Sequence, residues 1–163
     1  MIPIKGGYTS TKHEQLLANY LVTCYPWVLT PTPAFYVSDY HINERDLGGR
    51  SNYIGDLELR WLNQPSSDPV LFDYSKIQML SCMPIFKDLP TAYHRVCFRF
   101  TDGLLMLPIP ALLDLEPFLY KKPGEEGTER TKLKVIIERK NYNPACFKPV
   151  IIGEKGAKNY ALY

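Results

Sequence analysis

The pattern of hydrophobic and polar positions predicts an amphipathic helix over residues 11–25. Apolar side chains recur there at three- and four-residue spacing, which places them on one face of a helix. Thr11 followed by Glu14 matches a capping box at the start, and Pro26 cannot continue the helix. The side chains of the apolar face are Leu17, Tyr20, Leu21 and Cys24.

Residues 53–62 give the strongest strand signal, because apolar and polar side chains alternate along most of this run. A period of two places successive side chains on opposite faces of a sheet. The apolar face carries Leu57, Leu59 and Trp61, and the polar face carries Asp56, Glu58 and Arg60. The strand is expected to be half buried, and a surface ion-pair row is the simplest explanation of its polar face.

Further strands and helices alternate along the chain. Residues 41–52 are polar and carry Asp46, Gly48 and Gly49, which predicts a loop with a turn or hairpin. Asp102-Gly103 between two apolar runs predicts a second hairpin. Strands are predicted at residues 34–40, 93–101, 104–107 and 133–141, with a short strand end and a helix at residues 71–83 and a helix at residues 110–119.

Two segments with little apolar periodicity complete the predicted organisation. Residues 121–132 are charged and contain glycine, which predicts a charged loop. Residues 142–163 are expected to form an irregular C-terminal tail. The order of elements predicts an α/β fold, a single domain over residues 1–163 with a central mixed β-sheet flanked by helices.

The composition favours a globular domain that stays in the cytoplasm. Of the 163 residues 45% are apolar and 22% charged, which is enough to bury one core. No apolar run approaches the roughly 18–20 residues that span a bilayer, and the first residues lack the apolar stretch of a signal peptide. The four cysteines have no CxxC pair and no ligand spacing with the histidines, which argues against a zinc site.

Charge is distributed unevenly, although the net charge is only +2. Residues 1–120 carry nine basic and twelve acidic side chains, whereas residues 121–163 carry ten basic and five acidic ones. A basic segment beside an acidic body suits a polyanion such as double-stranded DNA. Solvated lysines on a surface are the alternative. The candidate nucleic-acid-binding residues are Lys132, Lys134, Arg139 and Lys140.

The polar face of the alternating strand carries a candidate metal site. Asp56 and Glu58 project from it together with Arg60, and Mg²⁺ prefers such carboxylate oxygens. Asp46 would return on the adjoining hairpin arm, and Glu14 would approach from the first helix. A Mg²⁺ ion held by these carboxylates would lower the pKa of its bound water and stabilise charge on a phosphodiester.

The order of these elements supports the same chemistry. A helix carrying Glu14 is followed by an Asp-bearing hairpin, a strand reading Leu-Glu-Leu-Arg and a helix beginning Tyr-Ser-Lys-Ile, with a hairpin over residues 93–107 after them. This layout resembles the PD-(D/E)xK nuclease superfamily, and in particular its small phage-type members, over residues 11–118. The resemblance implies a restriction-endonuclease-like core.

The resemblance also implies roles for single residues. Asp46 or Asp56 would take the Asp position of the motif, and Glu58 the Glu position. Arg60 stands where the family usually has lysine, and arginine stabilises negative charge but cannot act as a general base. Lys76 would supply the missing amine, or it is an ordinary exposed lysine. Neither Asp follows a proline, so a degenerate, inactive copy of the fold is an alternative.

The sequence therefore predicts a Mg²⁺-dependent endonuclease acting on DNA. A second literal match to the motif, Glu138-Arg139-Lys140, lies in a predicted strand, where charges that protect a sheet edge are the alternative. The competing function is a non-catalytic subunit of a virion or nucleoprotein assembly, whose C-terminal tail docks on a second copy or another protein. The predicted catalytic residues are Asp56, Glu58, Arg60 and Lys76, and the predicted metal ligands are Glu14, Asp46, Asp56 and Glu58.

Overall fold

A computed structural model describes residues 10–85, 89–121, 131–153 and 156–158. Its two helices are α1 (Ser10–Cys24) and α2 (Tyr74–Cys82), and short 3₁₀ helices lie at Ile109–Leu112, Arg139–Asn141 and Pro144–Cys146. Its strands are β1 (Trp27–Pro31), β2 (Tyr40–Arg45), β3 (Ser51–Trp61), β4 (Val70–Asp73), β5 (Arg95–Phe100), β6 (Gly103–Pro108), β7 (Phe118–Lys121), β8 (Thr131–Ile137), β9 (Phe147–Pro149), β10 (Ile151–Gly153) and β11 (Gly156–Lys158).

A mixed sheet of six strands in the order β1-β2-β3-β5-β6-β9 forms the centre of the domain. The first three strands are an antiparallel meander, and β5 then pairs in parallel with β3 after the chain has crossed over through α2. Strands β5 and β6 form an antiparallel hairpin. The predicted α/β fold, a single domain with a central mixed sheet flanked by helices, is confirmed.

Both faces of this sheet are covered, so β3 is buried on both sides. Helix α1 packs Leu17 and Leu21 against Leu57 and Leu59 on one face. The other face is covered by α2 and by a second sheet in the order β4-β8-β7. The expectation that the polar face of β3 meets water is therefore wrong, because the sequence pattern does not show what packs above it.

The first predicted strand, residues 34–40, is also wrong. Residues 34–39 belong to the loop between β1 and β2, and their apolar side chains include Phe35, which is exposed and has a backbone φ of 65°. Strand β2 begins only at Tyr40 and runs into the predicted loop 41–52, and its side chains Tyr40 and Ile42 enter the core. Asp46 and Gly49 then form the turn into β3, as predicted.

The C-terminal part contains more strand than the sequence pattern predicts. Residues 110–119 are a 3₁₀ turn followed by the start of β7, not a helix, and Lys121 pairs with Thr131. The ends of the predicted charged loop are therefore strand residues, while residues 122–130 lie outside the described residues. The irregular tail contains β9, β10 and β11 within its described part. Among the described residues no helix is long and apolar enough to cross a membrane.

Candidate active site

Strands β2 and β3 place four polar side chains opposite one another on the sheet face that α2 covers. His41 pairs with Asp56 in the antiparallel register, and extending that register by two residues sets Asp39 across from Glu58. Asp39 continues the ladder beyond β2, because its amide donates a hydrogen bond of 3.0 Å to the Leu57 carbonyl, and its carboxylate Oδ2 also accepts one of 2.7 Å from the Leu59 amide. Two carboxylates thus face each other across neighbouring strands.

Glu58 is the most unusual of these side chains, because it is only 2% exposed and yet incompletely hydrogen-bonded. Its Oε1 lies 3.1 Å from Arg60 Nη2. Its Oε2 lies 3.4 Å from Lys76 Nζ, but without hydrogen-bond geometry, so that Oε2 is a buried oxygen without a hydrogen-bond partner in the described part of the chain. Lys76 Nζ instead donates a hydrogen bond of 2.7 Å to the Val37 carbonyl.

The surroundings of Glu58 change its acidity. Burial raises the pKa of the Glu58 carboxyl to about 7, and the nearby Asp39 carboxylate contributes to the rise. The positive charges of Arg60 and Lys76 lower this pKa but do not outweigh the loss of hydration. Near neutral pH Glu58 therefore exchanges readily between its protonated and ionised forms.

Asp56 lies beside Glu58 on the same face but is hydrogen-bonded on both oxygens. It is fully buried and accepts hydrogen bonds from Ser38 Oγ at 2.8 Å, His41 Nδ1 at 2.7 Å and Tyr53 Oη at 2.6 Å. These contacts join the β1–β2 loop to the centre of the sheet. Asp56 therefore holds Ser38, His41 and Tyr53 in place around the site. Its oxygens already accept hydrogen bonds, so they are less accessible to a ligand than Glu58 Oε2.

Replacing Tyr53 by Phe should lower the free energy of unfolding by about 2 kcal/mol. A short hydrogen bond to a buried carboxylate contributes about 1.5–3 kcal/mol, and the phenylalanine ring leaves Asp56 with one donor fewer. Urea unfolding measures the loss. Tyr142→Phe is the matched control, since no hydrogen bond of the Tyr142 hydroxyl is found within the described residues, and a similar loss in both variants would contradict the assignment.

Asp46 is not part of this cluster. Its Oδ1 accepts hydrogen bonds of 2.9 Å from the amides of Gly48 and Arg50, which closes the β2–β3 turn. Asp39, seven positions earlier, is the residue opposite Glu58, and a strand rises about 3.3 Å per residue. Asp46 therefore lies roughly 20 Å from Glu58 and cannot share a ligand with it.

Glu14 approaches from the other face of the sheet. Burial raises the pKa of Tyr40 to about 12, and Glu14 and Asp39 are the charges that add to this rise. Glu14 is thus near the start of β2 but on α1, across the sheet from Glu58. Within the described ranges no three or more His, Cys, Asp or Glu side chains are grouped so that they could hold a metal ion. The four predicted ligands therefore do not converge there.

Asp39 is the site residue that the sequence analysis missed. It fell inside the predicted strand 34–40, where it looked like an ordinary polar position. The alternation of Tyr40 and Ile42 indicates a strand directly after this carboxylate, but not the partner of Asp39. Without the extra residue Ile54, a register counted from the β2–β3 turn would pair Asp39 with Leu57 instead of Glu58.

The four candidate nucleic-acid-binding residues lie in two places. Lys132 and Lys134 are on β8, whereas Arg139 and Lys140 follow it in a 3₁₀ helix. Three of the four already contact an acceptor within the domain, so they do not form one open basic row. These contacts are Lys134 with Asp73, Arg139 with Ser66 at 2.7 Å and Lys140 with Glu138 at 3.2 Å.

Comparisons of the chain with protein-family models, with curated proteins and with solved structures find no match. The chemical character of the site therefore follows from its own residues. Two carboxylates, Asp39 and Glu58, lie beside two cations, Arg60 and Lys76, in a cluster whose cationic side chains are partly open to solvent. Such a combination suits an anionic ligand held next to a divalent cation.

Proposed function

We propose that this chain is a metal-dependent nuclease, or a nuclease-like domain, that hydrolyses phosphodiester bonds at the Asp39–Glu58–Lys76 cluster. The observation that carries the proposal is the buried Glu58 Oε2, which has no hydrogen-bond partner among the described residues and lies opposite a second carboxylate. Burying a charge next to a like charge is unfavourable for folding. Perturbed carboxyls of this kind are concentrated at functional sites.

The donor atoms fit a divalent cation such as Mg²⁺. Hard carboxylate oxygens are the ligands that Mg²⁺ prefers, usually one or two from the protein. Asp39 and Glu58 would supply them, with Glu58 Oε2, which accepts no hydrogen bond from the described residues, as the oxygen that gains most. A bound Mg²⁺ would supply a water of lowered pKa and neutralise phosphate charge.

The cationic side chains have separate tasks in this proposal. Arg60 offers a planar set of positively charged donors to phosphate oxygens. Lys76 brings a compact positive charge whose position is fixed by the Val37 carbonyl. Glu58 would hold the cation, and the water that the cation activates would then attack the phosphodiester.

The topology also supports the proposal. In the central sheet and its helices, α1, the β1–β3 meander, α2 and the parallel strand β5 follow in this order, with β4 of the second sheet between β3 and α2. This is the layout expected from the resemblance to the PD-(D/E)xK superfamily. In this proposal Asp39 would take the Asp position of the motif instead of Asp46 or Asp56, and Lys76 on α2 would take the lysine position.

Cleavage of supercoiled plasmid and of labelled oligonucleotides in Mg²⁺ tests the proposal. Glu58→Gln should reduce the cleavage rate about a hundredfold, because glutamine lacks the carboxylate that would hold the cation, and the attacking water would lose its activation. Glu138→Gln is the matched control, because Glu138 belongs to the second literal motif and pairs with a neighbouring lysine at the surface. Equal cleavage by wild type and Glu58→Gln, or no cleavage with any divalent cation, would refute catalysis at this cluster.

The alternative is a non-catalytic subunit of a virion or nucleoprotein assembly. The described part of the C-terminal tail packs on its own domain, with β9 paired to β6 and with Val150 and Ile152 buried. This segment is thus engaged within the chain. Light scattering of the purified protein separates the two functions, because a stable multimer without cleavage would favour the assembly subunit.

A further inference from the structure

The loop between β1 and β2 exposes an aromatic side chain in an unfavourable backbone conformation. Phe35 is 90% exposed, and its φ of 65° lies in the left-handed region that bulky residues rarely adopt. A ring so exposed buries little of its own apolar surface, and the backbone conformation is strained. Outliers of this kind are concentrated at sites that bind ligands.

Hydrogen bonds hold this loop in one shape. The Thr32 amide donates to the Asp39 carbonyl at 3.0 Å, which closes the base of the loop. The Tyr36 amide donates to the Pro33 carbonyl at 3.2 Å, which forms the turn at its tip. Phe35 occupies this turn, so its exposure results from a closed loop and not from a free segment.

The same loop is part of the candidate active site. The Val37 carbonyl, two residues after Phe35, accepts the hydrogen bond from Lys76 Nζ. Asp39, four residues after Phe35, faces Glu58, and four residues span at most about 14 Å. An anion held by Lys76 would therefore lie within a nucleotide or two of the Phe35 ring.

We propose that Phe35 stacks on an unpaired base of the DNA strand whose phosphate lies at Lys76 and Glu58. This inference rests on the proposed nuclease function and names its substrate as DNA with unpaired bases. Every nucleobase has a flat face that stacks on an aromatic ring, whatever its identity. In an intact duplex that face is covered by the neighbouring base pairs and becomes accessible only when a step is opened.

Fluorescence anisotropy with labelled DNA tests the inference under conditions without cleavage, with Ca²⁺ in place of Mg²⁺. The probes are a single strand and an intact duplex of the same sequence. Phe35→Ala should weaken binding of the single strand about tenfold and change binding of the duplex less than twofold, while Phe35→Trp should bind the single strand as wild type does.

Leu47→Ala provides the matched control. Leu47 is fully exposed like Phe35, but it lies in the β2–β3 turn at the far end of the hairpin from Asp39. Its removal should leave binding of both probes unchanged. Thermal unfolding of each variant checks that the domain remains folded, as expected for changes at exposed side chains.

The failure of this inference differs from the failure of the nuclease proposal. If Phe35→Ala binds the single strand as tightly as wild type, or weakens both probes equally, base stacking at Phe35 is refuted even when cleavage depends on Glu58. If cleavage does not depend on Glu58 but the selective loss in Phe35→Ala is found, the nuclease proposal is refuted and the binding contact stands.

Discussion

Glu58→Gln should raise the free energy of unfolding at pH 8 by about 3 kcal/mol. The pKa of Glu58 rises from 4.5 to about 7 in the folded protein, mainly through burial. Each pKa unit corresponds to about 1.4 kcal/mol, so a rise from 4.5 to about 7 means that the ionised carboxylate destabilises the folded state by about 3 kcal/mol. Glutamine has nearly the same shape and remains neutral, and it therefore removes this cost.

The pH dependence distinguishes this explanation from a general effect of the substitution. Between about pH 4.5 and 7 the folded state binds more protons at Glu58 than the unfolded state, so the stability of the wild type falls as the pH rises through this window. Glu58→Gln lacks this fall. Urea unfolding should therefore show a large gap between the two proteins at pH 8 and a small one at pH 5.

Glu138→Gln should show no such gap at either pH, because Glu138 lies at the surface beside Lys140. A Glu58→Gln protein that is less stable than wild type at pH 8 would contradict the prediction. The expected result implies that the chain keeps an ionisable carboxyl at the expense of its own stability. Such a residue is typical of a site that is selected for function and not for folding.

Gly55→Ala should lower the free energy of unfolding by about 4 kcal/mol, a large part of a typical domain's stability. Gly55 has a φ of 136°, and a Cβ atom there would lie 2.4 Å from the Tyr93 carbonyl oxygen and 2.8 Å from its carbon. The contact is with backbone, which cannot rotate away. Strain at this φ contributes roughly 1–3 kcal/mol, and the forced shift between β3 and the Tyr93 backbone contributes roughly 1–3 kcal/mol.

Gly49→Ala is the matched control for this effect. Gly49 also has a positive φ, of 79°, but a Cβ atom there would meet nothing within 4 Å. Its substitution should therefore cost only the conformational strain, roughly 1–2 kcal/mol. Urea or thermal unfolding of the two variants isolates the steric part, and equal losses in both would show that the close approach of Gly55 to β5 is unimportant.

Gly55 also belongs to an irregularity that sequence alternation could not reveal. Ile42 pairs with Gly55 but Asn43 pairs with Tyr53, so Ile54 is an extra residue in β3. This bulge lets Tyr53 and Asp56, three positions apart, lie on one face and form their hydrogen bond. Uninterrupted alternation would place these two side chains on opposite faces.

The parts that could be predicted from the sequence are those set by local patterns. Helix α1, the core of β3 and the β5–β6 hairpin follow from periodicity and an Asp-Gly turn, although α1 begins at Ser10, so Thr11 is a helix residue and not the predicted N-cap. The contact between Lys76 and Glu58 was one of two alternatives for that lysine, and the structure brings the two side chains together. The residues that determine the helix, the strand and the hairpin lie close together in sequence. Lys76 and Glu58 are brought together by the order of the elements that carry them.

The parts that could not be predicted depend on distant packing. The apolar run 34–37 looked like a strand but forms a loop whose Val37 carbonyl is bound by Lys76, 39 positions further along. The polar face of β3 is buried because α2 and a second sheet cover it. Asp39 gains its meaning only from the register of β2 on β3, which no pattern in its own neighbourhood specifies.

The parallel pairing of β3 with β5 has a consequence for how the site forms during folding. The β1–β3 meander connects neighbouring segments, whereas the contact of Asp56 with His94 joins residues 38 positions apart. Closing so long a segment is slow compared with forming a local hairpin. We therefore expect Glu58 to remain hydrated on the early meander and to lose its water only when α2 and β5 dock. The charge of Glu58 is then desolvated last, when the packing of both faces offsets its cost.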